Sequence, residues 1–140
     1  GGEESGGYAF KGHVPERDGS LSGLLFLEAM TMSGKKPSEL LIDLHELVGP
    51  HVFRRDDVSY DEAQRADLAE RVASVSPVAF GGVKVQSTDR RDGVRFDLAD
   101  GSWAVARMSG TEPLVRMYAE TPDEITLDVV LSELRTTLGL

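Results

Sequence analysis

The residues best suited to chemistry lie in one short stretch, RMSGTEPLVR, which begins at Arg107 and ends at Arg116. The two arginines carry guanidinium groups that match phosphate in a bidentate geometry. Between them, Ser109 and Thr111 add hydroxyl donors, and Gly110 permits a turn with positive φ in which successive N–H groups point at one anion. Alternating apolar residues flank the stretch, which predicts a tight loop between two strands. On these residues alone, a phosphate-binding loop and a polar hairpin with two incidental arginines both remain open.

This stretch resembles the phosphate-binding loop of the α-D-phosphohexomutases, the phosphoglucomutase and phosphomannomutase family. In that family the loop lies in the last domain and binds the phosphate of the phosphosugar. The resemblance therefore implies that Arg107, Ser109, Gly110, Thr111 and Arg116 bind phosphate.

A second motif, GGEESGG at residues 1–7, resembles the sugar-binding loop of the same family. The match continues through HVPERDG at residues 13–19, so the two motifs occur in the family's order. The resemblance implies that Glu3 and Ser5 bind sugar hydroxyls, while Glu4 is assigned to the loop's own backbone.

Three basic residues, Lys11, His13 and Arg17, form a second candidate cluster close to the sugar loop. One interpretation is a solvated loop. The resemblance implies instead that basic residues here approach the substrate, with Arg17 near the proton-transfer chemistry. Because arginine stays protonated, Arg17 would stabilise a phosphoryl group and would be a poor general base.

Net charge, apolar content and the lack of cysteine argue against several classes of binding partner and cellular location. The net charge of −9 and the lack of a basic face argue against nucleic-acid binding. No apolar stretch is long enough to span a bilayer, so no membrane partner is expected. The sequence has no cysteine, which excludes disulfides and thiolate metal sites and suits a cytoplasmic protein. In so acidic a chain, local arginines must attract a phosphorylated ligand.

Apolar periodicity and turn residues predict an α+β fold with a boundary near Gly49-Pro50. Residues 51–140 are expected to form an antiparallel sheet with helices on one face, the C-terminal phosphate-binding domain. Residues 1–48 are expected to be the C-terminal remnant of a preceding α/β domain, with the sugar loop and two helices. The predicted elements are helices at 20–33, 37–47, 61–73 and from 122 onward, and strands at 51–60, 83–87, 94–98, 103–108 and 114–119.

The family's reaction passes a phosphoryl group from a phosphoserine to the sugar and back, through a hexose 1,6-bisphosphate and with Mg²⁺. No matching phosphoserine motif or Asp-x-Asp-x-Asp metal loop is found in the sequence, so no metal ligands are assigned in this chain. The chain is therefore interpreted as the C-terminal part of a phosphohexomutase, inactive by itself. Its expected partners are the phosphosugar, the rest of the parent enzyme and, through self-association, another copy of the fragment.

The substrate and the class of function leave alternatives open. Glucose phosphates are favoured, because the glucosamine version of the sugar loop often has a histidine where this chain has Gly7. Mannose and glucosamine phosphates remain alternatives, as does a non-catalytic phosphosugar-binding module. One further expectation concerns residues 20–33, which are apolar on nearly every side and so typical of a covered helix.

Overall fold

The computed structural model describes residues 1–3 and 5–140, and the predicted role of Glu4 lies outside this range. The chain divides into two compact units, Gly1–Val48 and Gly49–Leu140. Among the described residues, none of the helices has the length and apolar content needed to cross a membrane.

The first unit consists of a loop followed by helices α1 (Gly19–Ser33) and α2 (Pro37–Val48). Asp18 caps α1, which begins one residue before the predicted start at residue 20, since the Asp18 side chain accepts a hydrogen bond from the Leu21 N–H at 2.9 Å. The backbone of Asp18 is extended, as an N-cap requires, whereas Ser20 already lies inside the helix. The helix ends at Ser33, as predicted, and Gly34 follows in the left-handed conformation typical of a helix stop.

Helix α1 exposes most of its apolar residues, and only Leu21 and Met30 among the leucines and methionines are half-buried. No residue of α1, which the structure describes in full, is buried; Leu24 is 65% exposed and Met32 is 82% exposed. Helix α2 likewise has no buried residue. Neither helix of the first unit therefore contributes a fully buried residue to a core.

The second unit contains six strands, two α-helices and one turn of 3₁₀ helix. The strands are antiparallel and follow the order β1-β6-β5-β4-β3-β2 across the sheet. The elements are β1 (Val52–Ser59), the 3₁₀ turn (Glu62–Gln64), α3 (Arg65–Ser74), β2 (Ala79–Phe80), β3 (Val83–Asp89), β4 (Val94–Leu98), β5 (Trp103–Met108), β6 (Leu114–Thr121) and α4 (Glu124–Leu138). The α+β architecture predicted from the sequence is confirmed.

The core of this unit lies between one face of the sheet and helices α3 and α4. Strands β4, β5 and β6 alternate buried and half-buried residues, as the period of two in a strand requires. The side chains of α4 on the predicted inner face are all buried: Leu127, Val130, Leu131, Leu134 and Leu138. The opposite sheet face therefore remains available for polar residues, and it carries the arginines of the phosphate motif.

Candidate binding sites

The loop between β5 and β6 is closed by its own backbone and by one serine. The Ser109 N–H donates to the Leu114 carbonyl at 2.9 Å, and the Glu112 N–H donates to Ser109 Oγ at 3.3 Å. The Tyr60 N–H donates to the Pro113 carbonyl at 3.0 Å, which ties the loop to the end of β1. Ser109 is only 2% exposed, and its hydroxyl accepts a hydrogen bond within the turn. In this structure the hydroxyl therefore stabilises the loop.

The prediction that Gly110 adopts a positive φ is wrong. Gly110 is not among the glycines with a left-handed backbone, because hydrogen bonds between flanking residues close the turn without one. A Cβ atom added at Gly110 would meet no atom within 4 Å. Gly110 and Thr111 are both exposed, so they form the solvent-facing tip of the loop.

Arg107 and Arg116 lie directly opposite each other on neighbouring strands. The register of β5 and β6 pairs them, and their positions place both on the face of the sheet opposite the helices. Like charges placed directly opposite on adjacent strands destabilise a sheet. The arrangement therefore places two positive charges where an anion would offset their repulsion.

Arg107 is held by a carboxylate that the sequence analysis did not single out. Its Nη1 donates to Asp92 Oδ2 at 2.8 Å, while its other N–H groups donate to no residue in the described part of the chain. Gly93 brings Asp92 into place, with φ 73° and a backbone so close to β5 that a Cβ would lie 2.3 Å from the Ala106 carbonyl. The dipeptide Asp92-Gly93 is typical of a tight turn, but this local pattern does not predict that Asp92 contacts Arg107.

Arg116 is less fully paired than Arg107. Its Nη2 lies 3.6 Å from Glu112 Oε2, beyond ordinary hydrogen-bond distance. Its Nε is buried and has no hydrogen-bond partner among the described residues. Asp57 faces Arg116 in the register of β1 and β6, but it accepts two hydrogen bonds from Arg55, which chiefly lower the pKa of Asp57. Arg116 thus retains donor capacity for a further anion.

In the first unit, the structure brings together Glu3, Ser5 and Arg17. Glu3 Oε2 accepts hydrogen bonds from Arg17 Nη1 at 2.7 Å and from Ser5 Oγ at 3.1 Å. The hydrogen bond with Glu3 is the main cause that raises the pKa of Arg17. Arg17 is therefore a firmly protonated partner of a carboxylate and is unsuited to act as a general base. An open depression beside these groups is also lined by Gly6 and Gly7.

Two of the three basic residues near the sugar loop are paired with carboxylates, and their predicted approach to the substrate stays a prediction. Arg17 pairs with Glu3, and His13 shares a hydrogen bond of 2.8 Å with Asp18 Oδ2. Because Asp18 also caps α1, the His13 contact supports the start of that helix. Lys11 is exposed. Carboxylates thus engage two of these three side chains at short range, Glu3 on Arg17 and Asp18 on His13.

Aspartate and glutamate side chains are numerous in this chain, but the described ones do not converge on one point as metal ligands would. Within residues 1–3 and 5–140, no group of three or more histidine, aspartate or glutamate residues could hold a metal ion. The described residues therefore do not fit a magnesium site of their own.

Comparison with known proteins decides the family. The family model described as "Phosphoglucomutase/phosphomannomutase, C-terminal domain" matches residues 59–136, which is more than half of the chain. The chain belongs to the phosphoglucomutase/phosphomannomutase family. A second model of this family, for the alpha/beta/alpha domain III, matches residues 1–47. The two matches fall on the two units in turn, and the predicted family is confirmed.

Individual family members show how much of a mutase the chain covers. A phosphoglucomutase/phosphomannomutase of Thermococcus kodakarensis is 34% identical over 124 residues, which are 89% of this chain and 25% of the relative. A phosphoglucosamine/phosphogalactosamine mutase of Sulfurisphaera tokodaii is 30% identical over 95% of this chain and 27% of its own length. A phosphoglucosamine mutase of Exiguobacterium sibiricum is 30% identical over 96% of this chain and 26% of its own. The chain thus spans about a quarter of the length of these relatives.

Proposed function

We propose that this chain supplies sugar and phosphate recognition to a phosphohexomutase that interconverts hexose 1-phosphates and hexose 6-phosphates. The observation that carries the proposal is the opposed pair Arg107 and Arg116 beside the exposed tip of their loop. Two guanidinium groups with unused N–H donors form a cationic site suited to a phosphate dianion. At the exposed tip, the Thr111 hydroxyl and the backbone N–H groups of Gly110 and Thr111 supply further donors.

The first unit supplies recognition of a different kind. Glu3 is a hydrogen-bond acceptor toward sugar hydroxyls, and Ser5 can accept through its own oxygen while it donates to Glu3. Arg17, which the resemblance places near proton transfer, acts in this proposal as the partner of Glu3. Lys11 and His13 are not required for the recognition proposed here.

The chemistry of the whole mutase is proposed from the family. A phosphoserine and Mg²⁺, both outside this chain, would transfer the phosphoryl group through a hexose 1,6-bisphosphate, and the chain alone would be inactive. Among substrates we favour glucose phosphates, with mannose and glucosamine phosphates as alternatives, in keeping with the mixed names of the relatives. A cytoplasmic location remains a prediction.

The substitution Arg116→Ala tests the phosphate site in the mutase that contains this chain. A charge-assisted hydrogen bond contributes roughly 1.5–3 kcal/mol, so we expect kcat/KM for the hexose phosphate to fall about ten- to a hundred-fold. The matched control is Arg135→Ala, because Arg135 lies exposed near the end of α4 and in neither candidate site. Steady-state kinetics on both variants provide the measurement. Equal losses in the two variants would refute the assignment of Arg116 to phosphate.

A further inference from the structure

Gly7 and Arg17 compete for the same space in the sugar loop. A Cβ atom added at Gly7 would lie 2.5 Å from Arg17 Cδ and 3.3 Å from Glu3 Oε2. Gly7 does not have a positive φ, so the backbone itself would accept another residue. Glycine at this position therefore provides room for the arginine side chain that crosses it.

The position of Arg17 determines the orientation of the Glu3 carboxylate and which of its oxygens is available to a ligand. Arg17 Nη1 and Ser5 Oγ both donate to Glu3 Oε2, at 2.7 Å and 3.1 Å, whereas Glu3 Oε1 accepts no hydrogen bond from the described residues. Two donors on one carboxylate oxygen fix the orientation of the group and leave the other oxygen available to a ligand. The contacting atom of Arg17 belongs to a flexible side chain, so a methyl group at position 7 would displace Arg17 while leaving the loop backbone in place.

We propose that Gly7 and Arg17 are a positioning pair that orients Glu3 and makes this site select neutral hexose phosphates over amino-hexose phosphates. The inference rests on the proposed function, in which Glu3 accepts hydrogen bonds from sugar hydroxyls. The selectivity follows from charge: Arg17 already neutralises Glu3, and its guanidinium repels a protonated amino group brought to the same carboxylate. Without Arg17 at Glu3, the free carboxylate would attract that ammonium group instead.

The test compares glucose 6-phosphate with glucosamine 6-phosphate as ligands of the 140-residue chain, at about pH 6 where the amino group is protonated. Dissociation constants are measured by NMR titration for the wild type, Gly7→Ala, Arg17→Ala and the double variant. The control is Gly23→Ala, because a Cβ at Gly23 meets no atom within 4 Å and its φ is not positive. Arg17→Lys is included because it keeps the charge.

We expect the wild type to bind glucose 6-phosphate more tightly than glucosamine 6-phosphate. Gly7→Ala and Arg17→Ala should each lower this preference about two- to five-fold, the range of a partly exposed charge pair. The double variant should lose no more than either single variant, because both remove the same contact. Arg17→Lys should restore part of the preference, and Gly23→Ala should leave it unchanged.

Two results would overturn the inference, and only one of them would also overturn the proposed function. If the wild type binds glucose 6-phosphate but Gly7→Ala and Arg17→Ala keep its affinity and selectivity, the positioning role is wrong while the proposed function stands. If the wild-type chain binds neither sugar phosphate, the proposed function is wrong and the inference falls with it. The backbone shifts of α1 report whether each variant retains its fold.

Discussion

At the scale of single residues, the proposed phosphate site depends on two arginines that keep unused N–H donors. Arg107 uses one N–H on Asp92, and Arg116 keeps a buried Nε without a partner among the described residues. A sheet that places these two cations opposite each other gains nothing from the pairing itself. A bound dianion would satisfy both guanidinium groups at once.

The substitution Gly110→Ala tests why the loop has glycine at its tip. Glycine can be required for a positive φ, or for space that lets an anion approach the backbone. Gly110 has no positive φ and open space at its Cβ position, so we expect the melting temperature of the chain to stay within about 2 °C of wild type, in the range of a surface substitution. We also expect weaker phosphate binding, since a methyl group at the exposed tip would crowd an anion approaching the backbone N–H groups.

Thermal unfolding and isothermal titration with inorganic phosphate check this pair of outcomes. Gly23→Ala again serves as the control, because it adds the same methyl group outside both candidate sites. An alanine at position 110 that leaves phosphate affinity unchanged would show that the tip of the loop does not contact the anion.

At the scale of elements, the two units use apolar residues in opposite ways. Helix α4 buries five of its side chains against the sheet: Leu127, Val130, Leu131, Leu134 and Leu138. Helix α1 is as apolar, but none of its residues, all of which the structure describes, is buried. Fully burying one leucine stabilises a protein by roughly 1.5–3 kcal/mol, a contribution that α1 does not obtain from this chain.

Amide hydrogen exchange on the monomeric chain measures this difference. We expect the amides of residues 24–27 in α1 to exchange faster than those of residues 103–107 in β5, because α1 opens without exposing a core. The exposed apolar face would also favour self-association, so the measurement is made at a concentration where the chain is monomeric. Protection of residues 24–27 equal to that of residues 103–107 would mean that the first unit is stabilised as strongly as the second.

The sequence predicts these elements well where periodicity and caps agree. The inner face of α4, the ends of β5 and the stop of α1 at Gly34 all follow from apolar spacing and turn residues. Strand β2 was missed because its two residues, Ala79 and Phe80, are too few to show an alternating pattern. The 3₁₀ turn at Glu62–Gln64 lies where the sequence suggested the start of a continuous helix.

For the candidate sites, the sequence predicts which residues take part but not the contacts between them. The sequence identifies the loop residues between Arg107 and Arg116 as candidates, and likewise Glu3 and Ser5. The contacts that orient them depend on side chains brought from other elements, such as Asp92 beside Arg107, or from another part of the same loop, such as Arg17 across Gly7. No local pattern encodes those distances, since tertiary packing sets them.

At the scale of the whole molecule, the chain carries a net charge of −9, whereas the proposed phosphate site contains two arginines. The overall field does not favour the approach of a phosphate dianion, so in the proposed function the affinity comes from Arg107, Arg116 and the loop. Interactions of this kind are screened by salt over about 8 Å at physiological ionic strength. Phosphate binding to the chain should therefore weaken as salt is added.

Titration of the ¹⁵N-labelled 140-residue chain, followed residue by residue, tests the central claim most directly. Inorganic phosphate should shift the amides of Ser109, Gly110 and Thr111 and the Nε–H signals of Arg107 and Arg116, and leave residues 2–7 unchanged. Glucose 6-phosphate should shift the same loop and, in addition, the amides of residues 2–7. Phosphate-induced shifts scattered over other arginines, with the residues of the β5–β6 loop unchanged, would contradict the assignment of this loop to phosphate recognition.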